Sequence, residues 1–238
     1  MSRVMRTAGC FALLSMVAWA GCANPADDKF KVTATEPKAE TAPAPALAPS
    51  PAPAGPGASA PATTPAATPA VPAGALALDA SASKIDFVGS KVTGSHSGGF
   101  KTFSGSAELS SDQSSLAKVS VEIDMGSTWS DDERLTGHLK SPDFFDVAKN
   151  PKATFVSTEI KPGGEKGATH TITGNLTLHG VTKSLSFPAT VAVKDGALSL
   201  NSEFALNRKD FAINYPGRAN DLIRDEVVIK LDVKAKKA

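Results

Sequence analysis

The residues able to do chemistry are few and poorly spaced for it. The four histidines, His96, His138, His170 and His179, form no His-x-x-x-His pair of the kind that grips zinc from one helix face. Gly94-Ser95-His96-Ser97-Gly98 places a histidine where a nucleophile elbow needs serine, and no strand-to-helix transition follows, so it reads as a turn. Asp131-Asp132-Glu133 could hold a cation, yet three carboxylates at a helix start are explained by the positive end of the helix dipole. Both cysteines, Cys10 and Cys22, lie in the first 22 residues, which leaves the remainder without a thiol nucleophile, a disulfide or a thiolate ligand. No triad or phosphate loop appears. The expectation is a protein with no catalytic residues, no metal and no cofactor.

The elements that surround these residues divide the 238-residue chain into three parts. Residues 1–21 have the layout of an export signal: Arg3 and Arg6 precede an apolar run from Ala8 to Ala20 that is too short for a comfortable membrane span. The run ends in Trp19-Ala20-Gly21-Cys22, which resembles a bacterial lipobox except that Trp19 stands where leucine is usual. It implies diacylglycerol on Cys22 and acyl chains holding the exported chain to a membrane; the plainer reading is an ordinary signal cut near Ala20 or Gly21 that leaves Cys22 a free thiol. No Asp follows the cysteine in Ala23-Asn24, which by the usual sorting rule favours an outer membrane and a domain facing the periplasm.

From Thr41 to Leu78 there is no charged residue, and 11 of the 17 prolines fall between Glu36 and Gly74. Proline there denies both helix and ladder hydrogen bonds, and alanine and serine supply little to bury, so residues 22–76 read as a lipid-anchored disordered tether. Extended, about 50 residues would reach roughly 150 Å, as a spacer between membrane and domain; a tolerated insert with no length requirement explains the composition equally well.

Residues 77–238 form the folded domain, and its dominant period is two. Val119, Val121, Ile123 and Met125 alternate with Lys118, Ser120, Glu122 and Asp124. The same alternation gives inward Ile172, Leu176 and Leu178, then Leu185 and Phe187, then Leu200, Phe204 and Leu206, then Val227, Ile229, Leu231 and Val233. One wet face per strand means antiparallel pairing. Asp195-Gly196 marks a type I′ hairpin, Pro162-Gly163-Gly164 a longer loop, and Pro188 an edge or bulge. Ser130-x-x-Glu133 has capping-box spacing ahead of Leu135 and Leu139, predicting one short helix that Pro142 ends by Ser141. The fold class is all-β: an extended antiparallel barrel of about eight to ten strands, closed because closure removes exposed edges. About eight strands sits at the boundary between a self-filled core and a ligand cavity. The inner face has no Lys, Arg or Glu, so any guest would be lipophilic.

Four further blocks carry a resemblance. They are Lys84-Ile85-Asp86-Phe87 with Lys91 to Phe100, His138 to Val147 with Pro151 to Phe155, Gly174 to Lys183, and Asn207-Arg208-Lys209-Asp210-Phe211. In this order they resemble the YceI-like family over essentially all of Ala80 to Ala235, with the lipobox and proline run as departures. The resemblance implies a lipocalin-like barrel whose channel binds a polyisoprenoid, an isoprenoid quinone or another long apolar molecule for transport, storage or sequestration. The channel candidates are then Phe87, Val121, Ile123, Met125, Phe155, Leu176, Leu178, Leu185, Phe187, Phe204, Ile229 and Leu231. Candidates for a polar head at the mouth are Arg134, His138, Asn207, Arg208 and Asp210; the plainer reading makes Arg208–Asp210 an ion pair and His138 an exposed helix residue.

A net charge of +1 with interspersed signs provides no stripe for nucleic acid. The competing function is a self-filled barrel serving as an anchored protein-interaction adaptor in the envelope, which would call for an outward apolar strip where the outer faces carry mostly Lys, Ser, Thr, Asp and Glu. The residues leave the oligomeric state open, a homodimer included.

Overall fold

A computed structural model describes residues 24–38 and 75–237. The signal segment, Cys22 and the proline run from 39 to 74 lie outside the described residues.

Among the described residues, fourteen strand segments and one α-helix follow one another in the order β1 (Phe30–Lys31), β2 (Leu76–Leu78), β3 (Lys84–Lys91), β4 (Gly94–Phe100), β5 (Phe103–Leu109), β6 (Leu116–Asp124), β7 (Thr128–Ser130), α1 (Glu133–Lys140), β8 (Lys152–Pro162), β9 (His170–Leu178), β10 (Val181–Lys194), β11 (Ala197–Asn207), β12 (Gly217–Arg218), β13 (Asp221–Leu222) and β14 (Glu226–Lys237). Antiparallel pairs run β14–β11–β10–β9–β8–β6–β5, and β2 bridges β5 back to β14. β3 and β4 add to the other half of β14, with β4 passing into β5 through Lys101-Thr102. The result is an eight-stranded closed antiparallel barrel with one short α-helix, as the period-two pattern predicts.

Its two ends differ. At one end, which carries the β5–β6 turn and the Asp195–Gly196 turn, Leu76, Ala107, Leu116, Ala189, Leu198 and Ala235 are buried and plug the barrel. Asp195 and Gly196 both have positive φ, 52° and 72°, as a type I′ turn requires. At the other end two long connections, residues 125–151 with α1 and residues 208–225, fold over the barrel as a roof. Leu139, Phe144, Phe211 and Ile213 are buried beneath it.

Several local expectations are corrected. The helix cap is Asp132, whose Oδ1 accepts from the Leu135 N–H at 2.9 Å, because Ser130 belongs to β7 and turns its hydroxyl to the Asp132 carbonyl. The helix does end at Lys140 with Ser141 as its C-cap. The Gly94–Phe100 stretch is no turn but a full strand paired residue for residue with β3; the turn is Val92-Thr93. Gly98 and Gly99 are there for packing, since a Cβ on Gly98 would run into the Phe87 ring and the Trp129 carbonyl and one on Gly99 into Asp86 and the Ile85 carbonyl. The first barrel strand begins at buried Leu76.

The larger correction concerns the tether. Residues 24–38 pack on the barrel. β10 pairs with β11 only from Thr190 onward, because the strands part at Pro188, which has no N–H to donate and whose carbonyl accepts from Ser202 Oγ at 2.6 Å. Residues 30–35 fill the gap. Phe30 and Lys31 run parallel to Phe204 and Ala205, the Val32 N–H donates to the Ala205 carbonyl at 2.8 Å, and Thr35 exchanges both backbone bonds with Ser184 at 3.0 and 2.9 Å. Val32 is buried in the core, with Phe30 and Ala34 packed against it. The physical reason is an unpaired strand edge, which accepts any short alternating segment that can satisfy its donors and acceptors.

Candidate functional site

The site is built from the inward positions of the strands. Between the plug and the roof lies a cavity of about 220 Å³. All twelve channel candidates line it, joined by Ile85, Phe100, Ile172, Phe145 and Ile223 among others, and by the single charged residue Arg208. Burial changes along its length. Leu185, Phe187 and Ile172, toward the plug, are buried, whereas Val121, Phe155, Leu176, Leu178, Ile229 and Leu231 are only half-buried although they point inward. An inward apolar side chain that is still accessible borders open space, so the void lies toward the roof.

Aromatic rings shape the void. Phe155, Phe187 and Phe204 pack in a row, with centroids 5.6 and 4.5 Å apart. Phe87, Phe100 and Phe145 form a second group under the roof, at 5.8, 6.4 and 6.1 Å. Gly174 makes room for the Phe155 ring, which an added Cβ would strike. The cavity is smaller than the roughly 300–1,000 Å³ usual for compact ligands, so it suits a thin, flexible chain better than a bulky ring system.

The mouth candidates separate. Arg208 lies under the roof with a side chain only 5 % exposed. Its Nε donates to the Arg224 carbonyl at 3.1 Å, one terminal nitrogen to the Ile213 carbonyl at 2.6 Å, and the other to the Ile223 carbonyl at 3.4 Å. Its carboxylate neighbour is Asp225 at 3.5 Å, not Asp210. Burial lowers the guanidinium pKa from its ordinary value, and Asp225 opposes that. Arg208 therefore ties the two legs of the 208–225 connection together, its donors aimed at carbonyls. Asn207 is also local in role, its side chain accepting from the Lys209 N–H at 2.9 Å. Arg134 is exposed and Asp210 half-buried, and neither lines the cavity. His138 hydrogen-bonds Asp143 at 2.9 Å and meets the rings of Phe144 and Tyr215 edge-on, both at 4.9 Å. Tyr215 packs against the core from the roof but had no alternating or helical pattern to mark it in the sequence.

Among the three acidic residues at the helix start, Asp132 caps, and Asp131 binds the Ser97 N–H and the His96 ring, both at 2.9 Å. The Ser97 N–H holds the Asp131 carboxyl below the ordinary range, with His96 assisting against some desolvation. These contacts fasten β4 to the link between β7 and α1.

Comparison with known proteins agrees with this architecture. A UPF0312 protein of Pseudomonas putida strain W619 is 38 % identical over 139 residues, which cover 56 % of this chain and 71 % of the relative. Among solved structures, BcnA of Burkholderia cenocepacia superposes with a TM-score of 0.59 at 26 % identity, covering 67 % of this chain and 99 % of BcnA. A polyisoprenoid binding domain from Saccharophagus degradans, implicated in plant cell wall breakdown, has a TM-score of 0.55 at 18 % identity, covering 68 % and 98 %, and supports the fold. The profile described as the YceI-like domain matches residues 76–235, the whole barrel from β2 through almost all of β14, and this chain belongs to the YceI-like family.

Proposed function

We propose that the barrel binds a long lipophilic molecule, such as a polyisoprenoid or an isoprenoid quinone, and carries, stores or sequesters it in the bacterial cell envelope without transforming it. The observation that supports this most is the void beneath the roof, walled by inward apolar side chains that remain accessible. Each CH₂ moved from water into such a wall contributes about 0.8 kcal/mol, so a long tail binds with few polar contacts. The solved polyisoprenoid binding domain shares the fold and points to the same ligand class. The donors of Arg208, the one charged residue lining the cavity, are already engaged, so burial of the tail and not a charged head-group contact supplies the binding.

Native mass spectrometry with lipid extraction, on the full mature chain in mild detergent, tests this reading. A discrete extra mass that extracts as an isoprenoid or quinone is the expected result. An apo mass that takes up no added polyprenyl alcohol or quinone would favour the self-filled adaptor instead.

The lipobox supports anchoring through Cys22. Cys22→Ser is expected to move the protein from the membrane to the soluble fraction on fractionation; retention at the membrane would remove acylation from the reading.

A further inference from the structure

The strap from Asn24 to Lys38 determines which end of the barrel a membrane anchor would adjoin. Asn24 lies on the outer wall near the roof, where its Oδ1 accepts from Ser90 Oγ at 3.4 Å, and Ala26 is buried against Ala205, Val228 and Val88. Cys22 is two residues earlier in the sequence, and two residues of chain reach at most about 7 Å. The proline run cannot lengthen this distance. In sequence it follows Lys38, whose backbone exchanges hydrogen bonds with the Asn175 side chain at 3.1 and 2.7 Å, and precedes β2, so the described residues on either side of it are both on the barrel.

A second observation independently marks the same end. Among the described residues the exposed large hydrophobics are Val92, 55 % exposed, and Leu222, 50 % exposed. They are neighbours: the Val92 N–H donates to the Leu222 carbonyl at 3.2 Å. Asp221 clamps the pair by meeting Lys91 at 2.6 Å and the Thr93 hydroxyl at 2.9 Å. Exposed Arg218 stands across the β12–β13 hairpin. Two apolar tips with exposed Arg218 beside them, Lys91 being paired with Asp221, fit the headgroup boundary of an anionic bilayer. The residue after Leu222, Ile223, already lines the cavity, as does Gly89 on β3.

We propose that the bilayer surface is the partner of the roofed end: the acyl chains on Cys22 and the Val92–Leu222 tip seat the cavity directly on the membrane, and the lipophilic ligand passes between bilayer and channel without crossing water. This rests on the reading above that Cys22 is acylated and the channel binds a lipophile. In chain order the proline run follows Lys38 and precedes β2, so it does not stand between Cys22 and the packed strap.

The test uses acylated full-length protein in vesicles of phosphatidylethanolamine and phosphatidylglycerol containing doxyl-labelled lipid. A fluorophore is placed on Leu222→Cys and, separately, on Ser111→Cys in the β5–β6 turn at the plugged end. The expected result is loss of most of the emission at position 222 and none at 111, unchanged when residues 45–62 are deleted. Quenching at neither position in protein that floats with the vesicles would overturn the proposal, as would quenching at 111 alone or at both. Protein that does not float would overturn it through the anchor, and co-extracted lipophile from that same sample would show that the channel reading stands separately.

Discussion

Leu178→Glu and Leu231→Glu are expected to leave the channel without a lipophilic ligand, while Thr177→Glu is expected to leave binding intact. Leu178 and Leu231 line the void from β9 and β14, half-buried and apolar. A carboxylate there either stays charged and draws water into the cavity or becomes protonated and still displaces apolar contact. Either way a tail held by CH₂ burial alone has no compensating interaction, and removing an ionised group from water costs several kcal/mol. Thr177 is one residue away and faces out, with its hydroxyl 2.8 Å from that of Thr182, so its replacement changes stability by about 0.5–1 kcal/mol. The ligand-to-protein ratio after extraction, together with urea unfolding, reads out all three variants. If the glutamates unfold the barrel, Leu178→Trp, which fills the void with apolar volume, is expected to fold and to exclude the ligand. Equal ligand content in Leu178→Glu and Thr177→Glu would sink the assignment of faces.

Arg208→Met is expected to lower the unfolding free energy by about 3 kcal/mol, from buried carbonyls losing their donors. The Ile213, Ile223 and Arg224 carbonyls all accept from this one side chain, and they are the contacts by which the 208–225 connection holds its shape. Arg208→Lys recovers only part of the loss, because a single ammonium cannot reproduce a planar fork with separated donors. Urea unfolding of the two variants beside the native chain measures the difference. Unchanged stability with the ligand lost would instead make Arg208 a head-group contact. Because the connection also carries Leu222 and Ile223, its loosening is expected to disturb the roofed end before the plug.

Much of the channel was legible in the residues. In a strand the side-chain direction alternates by local geometry alone, so Val121 and Ile123, or Leu176 and Leu178, declare a shared face without any knowledge of their neighbours. The mouth was less legible. Asn207, Arg208 and Asp210 are adjacent in the chain, and adjacency suggested that they act together; the backbone there is a 3₁₀ turn that buries Arg208 toward Ile213 and Arg224 and leaves Asp210 to one side. The partner of Arg208 lies 17 residues on, at Asp225, in a stretch with no periodic pattern.

The strap shows the same division. Phe30, Val32 and Ala34 do alternate with Lys31, Thr33 and Thr35. Three apolar residues beside a long proline run are too short a signal to distinguish a strand from a linker, because an isolated strand of that length has no stability of its own. What stabilises it is the edge that β10 and β11 expose where they part at Pro188, a feature of the assembled barrel. The sequence by itself determined the all-β class, the inward faces, the turn at Asp195–Gly196 and the apolar character of the channel, all of which follow from local backbone geometry and side-chain polarity. Only the tertiary structure decided which strand edges remained to be filled, that Asn24 to Lys38 lies against the barrel, and that Val92 and Leu222 meet beside the cavity. Those depend on pairings between residues as far apart as Phe30 and Phe204, 174 positions along the chain, for which no local pattern exists.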